Sequence, residues 1–260
     1  RQVEDLLYKD FGVFFCGGLM RVEKMKRFID YMAAFGYTSM RWEVGMYMDV
    51  DDEEPVGYLG GKYTHEEIKE LDDYAFERGI ELIPCVQCFK HSAYITKYEK
   101  YKNALTDGYF ETDEPCVYEL IKKYFLTCKR LFRSRRIHIG MDETFGLIGS
   151  GFLAKHGYEE AGAVYIRHLK NVVELAKECG LSCEMWGDML KEMTRKFRAG
   201  SKDCTKNYLE DFPQSVRVIE WFYGGNYDHD ELNKIFGCFK GVGEIAYCDA
   251  LHSWSEYNPH

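Results

Sequence analysis

Apolar and polar residues recur along this chain in two rhythms. Short stretches are continuously apolar or alternate at a period of two, and longer stretches repeat every three to four residues. The first rhythm marks strands and the second marks amphipathic helices. FGVFF (11–15) reads as a short buried strand. EKMKRFIDYMAAFG (23–36) puts Met25, Phe28, Ile29, Met32 and Ala33 on one helical face and stops at Gly36. TSMRWEV (38–44) is the next strand. Thr64 and Glu67 form a capping box that opens a helix running to Arg78, with Ile68, Leu71, Tyr74 and Ala75 inward and Gly79 as the stop. IELIPCVQC (80–88) follows as a strand and VYELIKKYFLTCKRLF (117–132) as a helix. RRIHIGM (135–141) is a strand, 157–180 a long helix and LSCEMWGDM (181–189) a strand. After a further short helix come SVRVIEWFYGG (215–225) as a strand, DELNKIFGCF (230–239) as a helix and KGVGEIAY (240–247) as a strand.

Seven β/α-like units in strict order imply a parallel sheet with right-handed crossovers. They exceed a small doubly wound sheet and approach a TIM (β/α)8-type barrel, which takes about 250 residues. No eighth strand is legible after residue 247. The expectation is therefore a barrel incomplete at the C-terminus, or a chain that stops before closure. No linker or low-complexity run divides the chain, so residues 1–260 are expected to form a single catalytic domain. The acidic loop DVDDEEP (49–55) reads as a solvated βα loop.

Composition narrows the function. The chain has 260 residues, 46% of them apolar, which suffices for a sizeable core. Its net charge of −9 argues against nucleic acid or an anionic membrane surface as partner, since both require a basic patch. No run approaches the roughly 18 apolar residues of a membrane helix, and no signal peptide is visible. The ten cysteines are scattered and many fall on apolar faces, which suits reduced thiols and a cytoplasmic protein. Cys85 and Cys88 have the spacing of a redox or zinc pair. They lie in a strand, however, and no second ligand pair follows at zinc-finger spacing. No metal and no cofactor is expected.

The chemistry gathers at strand ends, where a parallel barrel carries its active site. In RRIHIGMDE, Ile137, Ile139 and Met141 alternate with His138, Gly140 and Asp142. Alternation predicts the apolar set toward the helices and the polar set toward the barrel axis, with Asp142 and Glu143 at the rim. Glu184, Trp186 and Asp188 share one face of the next strand, and Trp221 and Tyr223 share one face of EWFY. Trp254 follows the last strand, and His91 follows the strand ending near Cys88. Carboxylates, indoles, a phenol and an imidazole at successive strand ends suit a sugar. Its C–H faces pack on indole rings and its hydroxyls meet polar groups.

These residues carry a resemblance. The segments RFIDYMAAFGY (27–37), GYLGGKYTHEEIKELDDYAFERGIELIPCVQ (57–87), HIGMDE (138–143), MWGDM (185–189) and EWFY (220–223) resemble the catalytic barrel of family 20 glycoside hydrolases, the β-N-acetylhexosaminidases. His-x-Gly-x-Asp-Glu is that family's active-site signature. The resemblance implies a substrate-assisted retaining mechanism, one of the exceptions to the usual pair of carboxylates. The nucleophile is the carbonyl oxygen of the substrate's own 2-acetamido group, and an oxazolinium ion forms. By resemblance, Glu143 is the acid/base and Asp142 accepts the acetamido N–H and stabilises the developing positive charge. Two adjacent carboxyls favour one protonated and one ionised member, which suits this division of labour. Tyr223 resembles the tyrosine that hydrogen-bonds the acetamido carbonyl. Trp186, Trp221 and Trp254 resemble the indoles that wall the acetamido pocket and floor the sugar ring. His91 resembles the histidine that supports the catalytic glutamate. His138, the signature histidine, reads equally as a barrel-core histidine or as a sugar contact. The implied partner is a carbohydrate, an N-acetylhexosaminide. The oligomeric state is not legible.

Two stretches depart from the family pattern. After the first strand the family has an Asp-x-x-Arg-like element that binds the sugar's outer hydroxyls; here FFCGGLMR offers only Arg21. After the second strand the family has Glu-Asp-Thr-Tyr; here EVGMYMD puts Gly45 and Met46 at the acidic positions, with Glu43 and Asp49 as the nearest acids. The alternative reading is a non-catalytic or altered-specificity sugar-binding relative. A weaker one is a metal-dependent barrel using His91, His138, Asp142 and Glu184, which lacks a recognised ligand motif.

Overall fold

A computed structural model describes residues 10–53, 56–57, 61–190, 208–222, 229–239 and 241–249. Strands β1 (Gly12–Phe15), β2 (Ser39–Glu43) and β3 (Glu81–Cys85) alternate with helices α1 (Val22–Ala34) and α2 (His65–Phe76). A hairpin of β4 (Leu105–Thr106) and β5 (Tyr109–Phe110) precedes α3 (Pro115–Leu131) and β6 (Arg136–His138). Then come α4 (Ser150–His156), α5 (Ala161–Glu178), β7 (Ser182–Trp186), β8 (Arg217–Phe222), α6 (His229–Gly237) and β9 (Ile245–Asp249). The main sheet has seven strands in the order β1-β2-β3-β6-β7-β8-β9. Its registered pairs are parallel, for example Met40 beside Leu82 and Trp221 beside Cys248. Strand order equals chain order, as a β/α repeat with crossovers of one hand requires.

Contact density groups the chain into two compact units. The first comprises residues 1–87, 118–139 and 176–182. Its core is built from Met25, Ile29 and Met32 of α1, Met40 and Trp42 of β2, Ile68 and Leu71 of α2, and Phe125 of α3. The capping box of α2 is formed: the Glu67 N–H donates to Thr64 Oγ1 at 3.2 Å, and the Thr64 N–H donates to Glu67 Oε2 at 2.9 Å. Gly45 lies against the backbone at the end of β3, where a Cβ would come within 3.3 Å of Val86 Cα. At the strand starts, Asp10 accepts hydrogen bonds from Ser39, Arg41 and Arg136, and Arg136 also pairs with Glu81.

The second unit comprises residues 88–117, 140–175 and 183–260. Val164, Tyr165, Leu169 and Val172 of α5, Met185 of β7 and Val218 of β8 form its core. The β4-β5 hairpin turns at Asp107-Gly108, both at positive φ, which is the geometry of a tight two-residue turn. Asp107 then accepts the Phe152 N–H in the first turn of α4 at 3.0 Å.

Several expected boundaries move. The strand read over 135–141 ends at His138, because Gly140 and Met141 have φ of 70° and 76°. The helix read over 157–180 begins at residue 161, and a separate helix, α4, precedes it. The strand read over 240–247 runs Ile245–Asp249.

Candidate active site

Asp142 and Glu143 lie in a backbone segment that extended geometry does not explain. Gly140 adopts its left-handed φ freely, but Met141 at 76° and Glu143 at 54° pay for a Cβ in that region. Strict strand alternation therefore does not aim the two acids, contrary to expectation; a strained turn does. Such strain persists only where surrounding contacts over-determine it. The Trp186 N–H donates to the Gly140 carbonyl at 3.0 Å. The Tyr165 hydroxyl donates to the Met141 carbonyl at 2.9 Å. The Glu143 N–H donates to Asp188 Oδ2 at 2.9 Å, and the Thr144 N–H to Met189 Sδ at 3.2 Å. Lys90 Nζ donates to the Glu143 carbonyl at 2.7 Å. Burial, aided by the charges of Asp188 and Asp142, holds the Tyr165 phenol well above its ordinary pKa, so it remains a donor.

The loop after β3 brings His91 to these acids. Phe89 anchors it, fully buried, with its ring 4.2 Å from that of His168 and 5.9 Å from that of Tyr165. Burial lowers the His168 pKa to about 4, so this ring is neutral and its Nε2 donates to the Cys88 carbonyl at 2.8 Å. With the backbone fixed there, His91 turns at φ 60° and places Nε2 at 3.4 Å from Asp142 Oδ2 and 3.6 Å from Glu143 Oε2. The hydrogen bond to Asp142 raises the His91 pKa, so the imidazolium form is favoured beside the acids.

The two acids differ in access. The Asp142 side chain is 16% exposed, that of Glu143 43%. Oδ1 of Asp142 is buried and has no hydrogen-bond partner among the described residues. A buried carboxylate oxygen with nothing donating to it is costly, and it matches a ligand that brings its own N–H.

The other expected site residues lie in different surroundings. Trp186 is buried in the second unit, in the strand that also carries the Gly140 contact. Trp221 is half-buried on β8. Tyr223 and Trp254 lie outside the described residues. His138 has no exposed surface and sits in the first unit, with Nδ1 3.4 Å from Cys85 Sγ and Phe14 edge-on. This burial is what the core reading of the signature histidine requires. Glu184 is likewise buried, beside Arg217. Arg21 is exposed at the N-terminus of α1. Glu43 accepts from Gln87, and Asp49 pairs with Lys62.

Sequence reasoning passed over Lys90, whose Nζ is also 3.5 Å from Glu143 Oε2. It noted Asp188 without a role. The stretch LTDGYF (105–110) likewise carries the Asp-Gly turn signal of a hairpin.

Comparison with known proteins places this arrangement. The model of the glycosyl hydrolase family 20 catalytic domain matches residues 36–221, more than half of the chain. The chain belongs to glycosyl hydrolase family 20. Curated relatives include a beta-hexosaminidase of Vibrio furnissii, 27% identical over 64% of this chain and 34% of its own length. Hexosaminidase D of Homo sapiens is 25% identical over 71% of this chain and 39% of its own length. The chain thus spans little more than a third of these relatives. Among solved structures, the family 20 exo-β-N-acetylglucosaminidase of Vibrio harveyi, in complex with N-acetylglucosamine, superposes with a TM-score of 0.72 at 16% identity. That match covers 94% of this chain and 42% of that one. A β-N-acetylhexosaminidase of Bacteroides fragilis gives 0.69 at 16% identity, over 91% and 50%. At these identities the likeness is one of fold: family 20 members share a TIM-barrel-like α/β architecture, and this parallel sheet belongs to it.

Proposed function

We propose that this chain carries the active site of a glycoside hydrolase that removes terminal β-linked N-acetylhexosamine, as GlcNAc or GalNAc, by a substrate-assisted retaining mechanism. The observation that carries the reading is the pairing of Asp142 and Glu143 with opposite access. Asp142 presents a buried carboxylate oxygen that no described residue engages, while Glu143 stands half open beside it. Membership of family 20 and the hexosaminidase relatives support the same reading.

In the first step the acetamido carbonyl oxygen attacks the anomeric carbon. The bond from that carbon to the leaving oxygen breaks, and the proton of Glu143 passes to that oxygen. The acetamido N–H, directed at Asp142 Oδ1, becomes more acidic as positive charge spreads over the forming oxazolinium ring. A carboxylate already desolvated and fixed by His91 on its other oxygen needs no reorganisation to stabilise that charge. In the second step water adds to the anomeric carbon and gives its proton to Glu143. The carbon–oxygen bond of the oxazolinium breaks, which restores the acetamido group and the enzyme. The exposure of Glu143 suits both exchanges, since it must reach the leaving oxygen and then a water molecule.

The test is release of nitrophenol from 4-nitrophenyl N-acetyl-β-glucosaminide beside the plain β-glucoside. The mechanism predicts turnover of the first alone. Equal turnover of both would show that the acetamido group is not the nucleophile. Binding of N-acetylglucosamine without turnover would favour the second reading, a sugar-binding relative. The stretches FFCGGLMR and EVGMYMD, which depart from the family pattern, favour altered recognition of the sugar's outer hydroxyls within either reading.

A further inference from the structure

We propose that Lys90 and Asp188 are positioning residues that clamp Glu143 at its two peptide ends and thereby aim its carboxyl at the leaving oxygen. This rests on the assignment of Glu143 as the acid/base. Glu143 sits at φ 54°, a region that a side-chain-bearing residue leaves unless its neighbours hold it. Two groups of opposite charge do so. Asp188 Oδ2 accepts the Glu143 N–H at 2.9 Å, and Lys90 Nζ donates to the Glu143 carbonyl at 2.7 Å. Each bond is charge-assisted, so each is stronger than an ordinary peptide hydrogen bond. The anion meets the positive end of the peptide and the cation meets the negative end.

Both grips are themselves fixed. Asp188 is 4% exposed. Lys90 follows the anchored Phe89, and its Nζ lies 5.9 Å from the centre of the Tyr109 ring. The Tyr109 hydroxyl in turn accepts the Gly146 N–H at 3.2 Å, three residues past the acid. The same Lys90 Nζ reaches 3.5 Å from Glu143 Oε2, so one ammonium touches both the backbone and the carboxyl of the acid. If the clamp aims the acid, only steps that need its proton depend on it. A leaving group that departs as a stable anion needs no proton and should not register its loss.

The experiment compares two glycosides of N-acetyl-β-glucosamine that differ in leaving group. The 4-methylumbelliferyl glycoside depends on protonation, and the 2,4-dinitrophenyl glycoside does not. In Lys90→Met, kcat/KM should fall about tenfold or more on the first and less than about twofold on the second. Lys90→Arg should recover part of the loss. Asp188→Asn keeps an oxygen acceptor for the Glu143 N–H and should show the same selectivity with a smaller loss. An equal fall on both substrates would mean general disruption of the site and would overturn the clamp, as would no fall on either. Wild-type silence on both substrates would instead overturn the hydrolase assignment itself, and the clamp with it.

Discussion

Two charged clusters of this protein obey opposite rules. At the strand starts, Asp10, Ser39, Arg41, Arg136 and Glu81 neutralise one another. Both oxygens of Asp10 are engaged by arginine, and despite the cost of burial the bonds to Arg41, Ser39 and Arg136 hold its carboxyl far below the ordinary range. Around Asp142 and Glu143 the charges stay incompletely answered. One oxygen of Asp142 meets His91 while the other is buried without a donor among the described residues, and Glu143 sits on left-handed backbone. The first cluster is what charge looks like when it only has to be stable. The second spends stability to keep an acceptor and an acid ready for something that is not protein.

If that contrast is right, mutations in the two clusters should separate activity from stability. The largest effect belongs to Glu143→Gln, which should lower turnover of an N-acetylhexosaminide by about 10²–10⁴-fold while leaving the thermal midpoint almost unchanged. A matching loss of stability would make Glu143 structural. Next comes Arg41→Ala. It removes one of the two arginines that hold the part-buried Asp10 carboxylate, leaves Arg136 and Ser39 in place, and should cost about 1.5–3 kcal/mol in urea denaturation, with kcat of the folded enzyme preserved. The pH dependence has a definite sign here. The folded pKa of Asp10 is depressed, so the stability it contributes is present above its ordinary value of 3.8 and is lost as pH falls below it. The gap between wild type and Arg41→Ala should therefore narrow in acid.

A smaller effect runs the other way. Glu143→Gly removes the Cβ from a residue at φ 54° and should raise the unfolding free energy by about 0.5–1 kcal/mol while abolishing activity. A loss of that size would mean the turn is not strained. The smallest effect is that of His91. Its folded pKa is raised by Asp142, so its contribution is complete below the ordinary value of 6.5 and disappears as pH rises through the raised value. The stability difference between wild type and His91→Asn should be greatest near pH 6 and fade in alkali. A constant difference across that range would mean that packing, not charge, is what His91 supplies.

Much of this was legible in the sequence, for identifiable reasons. The helices declared themselves because an amphipathic stripe and a cap are local, as with Thr64 and Glu67. The order of the parallel strands followed from their alternation with helices. Asp142 and Glu143 stood out because they close the HIGMDE signature and because other strand ends carry carboxylates and indoles as well. How they are aimed was not legible, because a period-two pattern continues on paper through Gly140 and Met141 where the backbone turns left-handed. Lys90 and the role of Asp188 were missed for a different reason. They lie 53 and 45 residues from Glu143 in sequence, and nothing local marks a surface-type lysine as the partner of a distant peptide. The split between His91 and His138 was equally invisible. Both follow or end strands, yet one faces two carboxylates and the other a thiol in the core.

The measurement closest to the central claim is calorimetric binding of a thiazoline analogue of the bicyclic oxazolinium intermediate. It should be made on wild type, Asp142→Ala and Glu143→Gln. Under the proposed mechanism, such an analogue carries the ring nitrogen that Asp142 would receive, and it has no leaving group for Glu143 to protonate. The account predicts tight binding by wild type, a loss of about 100-fold or more in Asp142→Ala, and near wild-type affinity in Glu143→Gln. Equal binding by wild type and Asp142→Ala, or none by wild type, would contradict it.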